Sequence, residues 1–592
     1  MTHSEKLAKL RLAMQAQGVD AYIIPSSDPH ISEYLPERYK CIAWASGFTG
    51  SAGTLVITQG FAGLWTDGRY FVQADEQLAG SGFVLVKLKM QGAAEYADWL
   101  ANELAEGSVV AFDGKLASVA IAQTVLDTLL PKGMTVRGDV DLLEELWDSR
   151  PALPTAPAYL IDESTTGEPA VSKLRRVRDA MTRKGAQAHL VSSLDDVAWL
   201  LNIRGSDVPC NPVVLAFLLF EAERVSLYID GQKLSEGDKE RLAEAGVLVA
   251  PYGRVEAALA NLPAGTAILM DPRRTCYALY DAVPDTVAVV EDTNPSTNYK
   301  AVKNAVEVAH MRETMVKDGV AMTRFFKWLE ENVGVEPITE LSLAAKLREI
   351  RAMGEGFVGE SFTTIGGYKA NGALPHYMAT PESHAVLERD GLLLVDSGGQ
   401  YTTGTTDITR VVSLGNISEA QRKDYTLVLK AMIEGSSTTF THGTKGYQID
   451  AITRRPLWEH LRNYGHGTGH GIGFFLNVHE GPHVFNAANV NVAIEPGMIT
   501  SIEPGLYREG EYGIRIENLV LSRVAAENQF GTFLDFETLT LCYIDTDLID
   551  KSLLDARHIE WLNAYHATVF ERLGPHLSEK ERSWLAEKTK SI

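Results

Sequence analysis

The first half of the chain repeats one pattern of apolar and polar positions. Residues 4–17 place Leu7, Leu10 and Met14 on one face at helical spacing, and Gly18 stands where a C-terminal cap belongs. Val19–Ile24, apolar except for Asp20, is closed by Pro25, Ser26, Ser27 and Asp28, which predicts a buried strand. The same order returns 167 residues later: a helical stretch from Lys173 to Met181, Gly185, the apolar run Ala188–Val191, then Ser192 and Ser193. The repetition predicts two related α/β domains. Between them, Trp65–Phe71 is expected to form a turn that opens a strand. Pro151, Pro154 and Pro157 mark one boundary and the polar, turn-rich Asp292–Asn298 a second. The expected domains are therefore 1–158, 159–304 and 305–592.

Beyond the second boundary the pattern changes. A long helix is expected from about Ala301 to Asn332, with Ala305, Ala309, Met311, Met315, Val320 and Phe325 among its apolar positions, lying on a sheet. Thr339 is placed to cap the next helix, Phe362–Gly366 reads as a strand, and Leu553–Leu585 reads as packed helices around Trp561, Leu562, Tyr565 and Phe570.

Between these helices, β-prone runs meet carboxylates. Leu392–Val395 ends on Asp396, and Thr405–Val412 contains Asp407. A loop of glycine and histidine, His466–Gly471, follows. Glu503 stands in Ile502-Glu503-Pro504-Gly505, and Glu517 closes Gly513–Glu517. The spacing predicts two hairpins, one carrying Asp396 and Asp407 and one carrying Glu503 and Glu517, each turning through glycines. Arg515 and Glu517, two apart, share a strand face. Four converging carboxylates would repel one another and hold protons. Divalent cations remove that conflict. Oxygen donors with one imidazole suit Mn, Co, Zn or Fe(II), and the carboxylates are too many for a single zinc, which points to two bridged metals.

Composition narrows the picture further. A chain of 592 residues needs two to four domains. Apolar content of 45% and charged content of 22% are those of a globular protein. With 77 acidic and 55 basic side chains the formal net charge is −22, which argues against nucleic-acid binding. Cys41, Cys210, Cys276 and Cys542 form no CxxC pair and are expected as buried, reduced thiols in a cytoplasmic protein. The polar N-terminus has no signal-peptide core, and the apolar run Pro212–Phe220 is too short to span a bilayer, so no membrane association is expected.

Taken in order, Asp-x10-Asp, His-Gly-x-Gly-His-Gly, Glu-Pro-Gly and Arg-Ile-Glu resemble the motifs of the pita-bread metallopeptidases, the family of methionine aminopeptidase, prolidase and aminopeptidase P. The string from Asp396 to Asp407 and the segment Asn477–Pro482 look like the long, three-domain aminopeptidase P branch, and the resemblance covers nearly the whole chain. It implies two related N-terminal α/β creatinase-like domains followed by a C-terminal pita-bread domain, a mixed α/β and α+β architecture. It implies two divalent ions, manganese first with cobalt or zinc as alternatives, held by Asp396 (bidentate), Asp407 and Glu517 (bridging), His470 and Glu503. Glu503 would also be the general base. His376 and His479, in Leu-Pro-His-Tyr and Asn-Val-His-Glu-Gly-Pro, match the family's two histidines that act on the scissile carbonyl. Arg69, in Trp-Thr-Asp-Gly-Arg-Tyr, would reach the substrate together with His376, His470, His479 and Arg515, although Arg515 also suits an ion pair with a site carboxylate. A shallow apolar pocket including Tyr377 would take the proline ring. The implied activity is removal of the N-terminal residue from peptides with proline second, in a homodimer. Prolidase is the nearest alternative, and a metal-free binding module on the same fold a more distant one. All five ligand positions being present favours an enzyme.

Overall fold

A computed structural model describes residues 1–90 and 92–592. They divide into two compact units: Met1–Glu163 with Glu168–Thr297, and Ser164–Gly167 with Asn298–Ile592.

The first unit contains two six-stranded sheets built to one plan. In the first, the order is Val84–Lys87, Ala62–Thr66, Thr54–Thr58, Ala21–Pro25, Val109–Phe112, Thr135–Arg137. In the second it is Val247–Pro251, Val225–Ile229, Ala216–Phe220, Ala188–Val191, Ala267–Met270, Ala288–Glu291. Each opening strand runs antiparallel to the hairpin on one side and parallel to the strand on the other. The opening helices, His3–Ala16 and Ala170–Arg183, and their glycines Gly18 and Gly185 at φ 65° and 71°, are as the repeat predicts. Side-chain alternation explains the apolar runs. Tyr22, Ile24, Leu55 and Ile57 pack with Leu7, Leu10 and Met14 on one face, while Ala21, Ile23 and Val56 pack with Tyr96, Leu100 and Val125 on the other. Trp65–Phe71 departs from expectation. Trp65 and Thr66 end a strand, the turn is Asp67–Tyr70, and a helix, Phe71–Gln77, follows, because Ala74 and Leu78 bury one helical face.

In the second unit the long helix begins at Asn304, not before it. The Asn304 side chain accepts from the amides of Val306 and Glu307, and the Glu307 carboxylate caps the Asn304 amide, so a separate short helix, Pro295–Ala301, precedes Ala305–Asn332. Met311, Met315, Val320 and Phe325 are buried, whereas Ala305 and Ala309 are exposed. Thr339 caps Glu340–Ala352. The strand expected at Phe362–Gly366 lies instead at Ile365–Tyr368, where it pairs with Leu392–Ser397. The two C-terminal helices are Ala556–Leu573 and Glu579–Lys588.

Both predicted hairpins form, and each carries a smaller one at its end. Leu392–Ser397 pairs with Ile408–Ser413, and Gly399–Tyr401 pairs with Gly404–Thr405 inside that connection. Ile499–Ile502 pairs with Asn518–Asn528, and Gly505–Arg508 pairs with Tyr512–Arg515 inside that one. All four carboxylates therefore stand where a long hairpin hands over to a short one. Cys41, Cys276 and Cys542 are buried thiols, but Cys210 is half-exposed at φ 65°. Among the described residues no helix is long and apolar enough to cross a membrane.

Candidate metal centre

The two hairpins are tied together beside the carboxylates. The Glu517 amide donates to the Thr409 carbonyl at 3.1 Å. Arg410, 1% exposed, donates to the Thr409 and Glu517 carbonyls and, at 2.8 Å, to Asn518 Oδ1. A third element, Gly469–Gly471, pairs with Ile499–Ile502 and with Glu480–Phe485, so the glycine-histidine stretch is partly a strand rather than a loop. Its glycines permit contact: a Cβ on Gly469 would stand 1.8 Å from the Ser501 carbonyl oxygen. This close packing delivers His470 to the carboxylates.

Ligand-type atoms of Asp407, His470 and Glu517 all lie within 4.8 Å of one another. His470 Nε2 is 3.5 Å from both Asp407 Oδ2 and Glu503 Oε1, and its Nδ1 faces the Gly471 carbonyl at 3.0 Å, which aims Nε2 inward. Thr409 Oγ1 donates to Glu517 Oε2 at 2.9 Å, and Ser501 Oγ is 3.5 Å from Glu503 Oε1. Arg515 Nη2 pairs with Asp396 Oδ2; Arg515 Nε is 3.2 Å from Thr409 Oγ1 and 3.9 Å from Glu503 Oε2, and Nη1 donates to the Tyr507 hydroxyl at 2.6 Å. Asp396 Oδ1 and Glu517 Oε1 are buried without a hydrogen-bond partner among the described residues.

The electrostatics follow from this crowding. Burial, then the charges of Glu517, Asp396 and Glu503, push Asp407 well above the ordinary carboxylate range. Burial and Glu517 push Glu503 up in the same way. Burial and Asp396 raise Glu517 to about 7. One arginine does not offset four carboxylates. Two divalent cations would, and the donor set fits them: carboxylate oxygens, one imidazole nitrogen, and two buried oxygens that no hydrogen bond among the described residues satisfies.

The profile of Metallopeptidase family M24 matches residues 309–523, and that of the C-terminal region of peptidase_M24 matches 532–592. Creatinase/Prolidase N-terminal domain profiles match 6–140 and 149–307. Aminopeptidase P2 of Arabidopsis thaliana is 39% identical over 99% of the chain and 88% of its own length. A probable Xaa-Pro aminopeptidase P of Neurospora crassa is 38% identical over 99% and 89%. The crystal structure of an X-prolyl aminopeptidase from Caenorhabditis elegans, a cytosolic enzyme with a di-nuclear active site, superposes with a TM-score of 0.96 at 35% identity, covering all of both chains.

The chain belongs to the aminopeptidase P family.

Within this aminopeptidase P fold, the structure gathers Asp396, Asp407, His470, Glu503, Arg515 and Glu517 at one place. His479 joins them, its ring edge-on to His470 with centroids 4.4 Å apart. His376 is half-buried, and the carbonyl of its neighbour Pro375 accepts from Arg515 Nη2 at 3.3 Å. Tyr377 is buried with its hydroxyl on Glu340 Oε2 at 2.7 Å, inside a polar cluster rather than an apolar pocket. Arg69 lies in the first unit, where Nε and Nη2 each meet Asp67 at 2.8 Å. Thr409, Arg410 and Tyr507 were not singled out by sequence reasoning. Thr409 follows Asp407 by two in one β-prone run, so alternation carried its signal. An arginine inside the β-prone run Thr405–Val412 was the signal for Arg410. Tyr507 carried none: its contacts with Arg515 and with His466 Nε2, at 2.8 Å, exist only in the fold.

Proposed function

We propose that Asp396, Asp407, His470, Glu503 and Glu517 hold two divalent metal ions, and that the protein hydrolyses the bond between an N-terminal residue and a following proline. The convergence of Asp407, His470 and Glu517 beside two unsatisfied buried carboxylate oxygens carries this reading. Ions held by these residues would supply a water of lowered pKa and a Lewis acid for the scissile carbonyl. Glu503 accepts the proton of the attacking water on a carboxylate oxygen. That proton then serves the proline nitrogen as it leaves. His479, packed against His470, and His376 donate to the developing oxyanion. Arg515 holds Asp396 through its guanidinium and so orients the carboxylate that closes the cluster.

Proline fixes the substrate logic. An X-Pro amide has no N–H for a backbone grip and a ring that locks the chain. Specificity then rests on the free amine, docked beside Asp396, with Arg69 a substrate-binding residue by the family resemblance. Manganese is the proposed metal, since carboxylate oxygens with one imidazole suit it, and cobalt and zinc are the alternatives. A cytoplasmic homodimer belongs to the same proposal; the worm relative is described as cytosolic.

Four peptides test the activity: an X-Pro dipeptide, an X-Pro-X-X peptide, its N-acetylated form, and its alanine analogue at the second position. Cleavage is expected for the first two, with the longer at least as good, a sharply lower kcat/KM for the alanine analogue, and none for the acetylated form. Cleavage of the dipeptide alone would make the protein a prolidase.

A further inference from the structure

His479 is fixed from both sides by residues outside the metal cluster. On its N-terminal side, the turn Gly473–Asn477 closes with the Gly473 amide on the Asn477 carbonyl at 3.0 Å and holds Phe475 at φ 47°. The Leu476 carbonyl of that turn accepts from Gln400 Nε2 at 2.7 Å and from Thr405 Oγ1 at 3.2 Å. Both donors belong to the small hairpin between Asp396 and Asp407. On its C-terminal side, Glu480 opens the strand Glu480–Phe485, whose pairs Glu480 with Gly471 and Val484 with His470 lay it along the His470 strand.

The Glu480 carboxylate is ion-paired with Lys303, and each side chain is 1% exposed. Lys303 is itself anchored twice, and its neighbour Val302 once. Its Nζ donates to the Lys300 carbonyl at 2.8 Å, its amide donates to the Gly497 carbonyl at 2.9 Å, and Val302 bridges Met498, the residue before the strand that leads to Glu503. A buried ion pair adds little stability over apolar residues of the same size. What it adds here is direction: a charge-assisted bond fixes the Glu480 side chain, and with it the peptide that carries the His479 ring.

We propose that Lys303 is a positioning residue for the hydrolysis, setting the His479 ring against His470 through its buried pair with Glu480. This rests on the role given to His479 above. The segment 302–303 thereby joins two parts of the site, since its backbone holds the strand of Glu503 and its side chain holds the neighbour of His479.

The test is a mutant cycle read by kcat, KM and bound metal. Lys303→Met is expected to lower kcat about tenfold with KM and metal content unchanged, as for residues that orient a metal-site group. In a His479→Ala background, itself slow, the same substitution is expected to cost nothing further. The neutral pair Lys303→Met/Glu480→Gln leaves no unpaired buried charge. It is expected to fold, keep its metals and stay slow, and the same cycle run with it decides the matter if Lys303→Met alone does not fold. An equal loss in both backgrounds, or wild-type kcat in the neutral pair, overturns the proposal while leaving His479 in its role. Wild-type kcat in His479→Ala alone overturns that role and the proposal with it.

Discussion

Removing the metals should make stability depend on pH in a direction the carboxylate cluster dictates. Glu517 is 1% exposed, and burial with Asp396 nearby raises its pKa from 4.5 to about 7. A carboxyl group with a raised pKa holds its proton more tightly in the folded state. Its protonation therefore favours folding at low pH, and that contribution is lost as pH climbs from the unfolded value through the folded one. The window runs from about 4.5 to about 7, and the shift, at 1.36 kcal/mol per unit, corresponds to roughly 3 kcal/mol for Glu517 alone. Asp407 and Glu503 shift the same way and add to it as a coupled set. Bound cations hold all four carboxylates ionised, so the metal-loaded protein should lack this loss. The assay is urea unfolding of chelated and metal-loaded protein at about pH 5 and about pH 7.5, followed by a probe in the catalytic unit. The difference between the two forms isolates the cluster from the protein's other titrating groups. The chelated form should lose at least ~3 kcal/mol relative to the loaded form between these pH values. Parallel pH profiles for the two forms would refute the reasoning.

Asp407→Asn should lower activity at least about a hundredfold and reduce bound metal. With one charge gone from the cluster, its chelated form should also be more stable near neutral pH than chelated wild type; elemental analysis and urea unfolding check both, and a variant with two metals and normal turnover would remove Asp407 from the ligand set. Arg69→Ala should raise KM about tenfold for peptides that extend beyond the proline, with kcat and metal content kept, as expected when a charged contact is lost. Unchanged KM would leave Arg69 as the partner of Asp67 and nothing more.

The repeat of helix, glycine and strand was legible because each apolar run is buried on both faces of its sheet, which leaves a signal that survives without neighbours. The four carboxylates were legible for a different reason: β-prone runs do not end on acidic residues repeatedly unless the ends are used. What local pattern could not reveal was contact across the chain. The Asn304 cap broke a helix whose apolar spacing ran straight through it. The glycine-histidine stretch read as a loop because glycine marks turns, yet Gly469 serves close strand packing against Ser501. Tyr507 and Lys303 are ordinary in sequence and acquire meaning only through Arg515 and Glu480.

The claim that this aminopeptidase P runs on two metals held by five side chains is tested most directly by reconstitution. Chelated protein would be titrated with Mn(II) while cleavage of an X-Pro-X-X peptide and bound metal are read together. Negligible cleavage is expected without metal, with activity that rises as metal binds and saturates at two ions per chain. Full cleavage by metal-free protein, or saturation of both signals with no binding at the cluster of Asp396, Asp407, His470, Glu503 and Glu517, would contradict it.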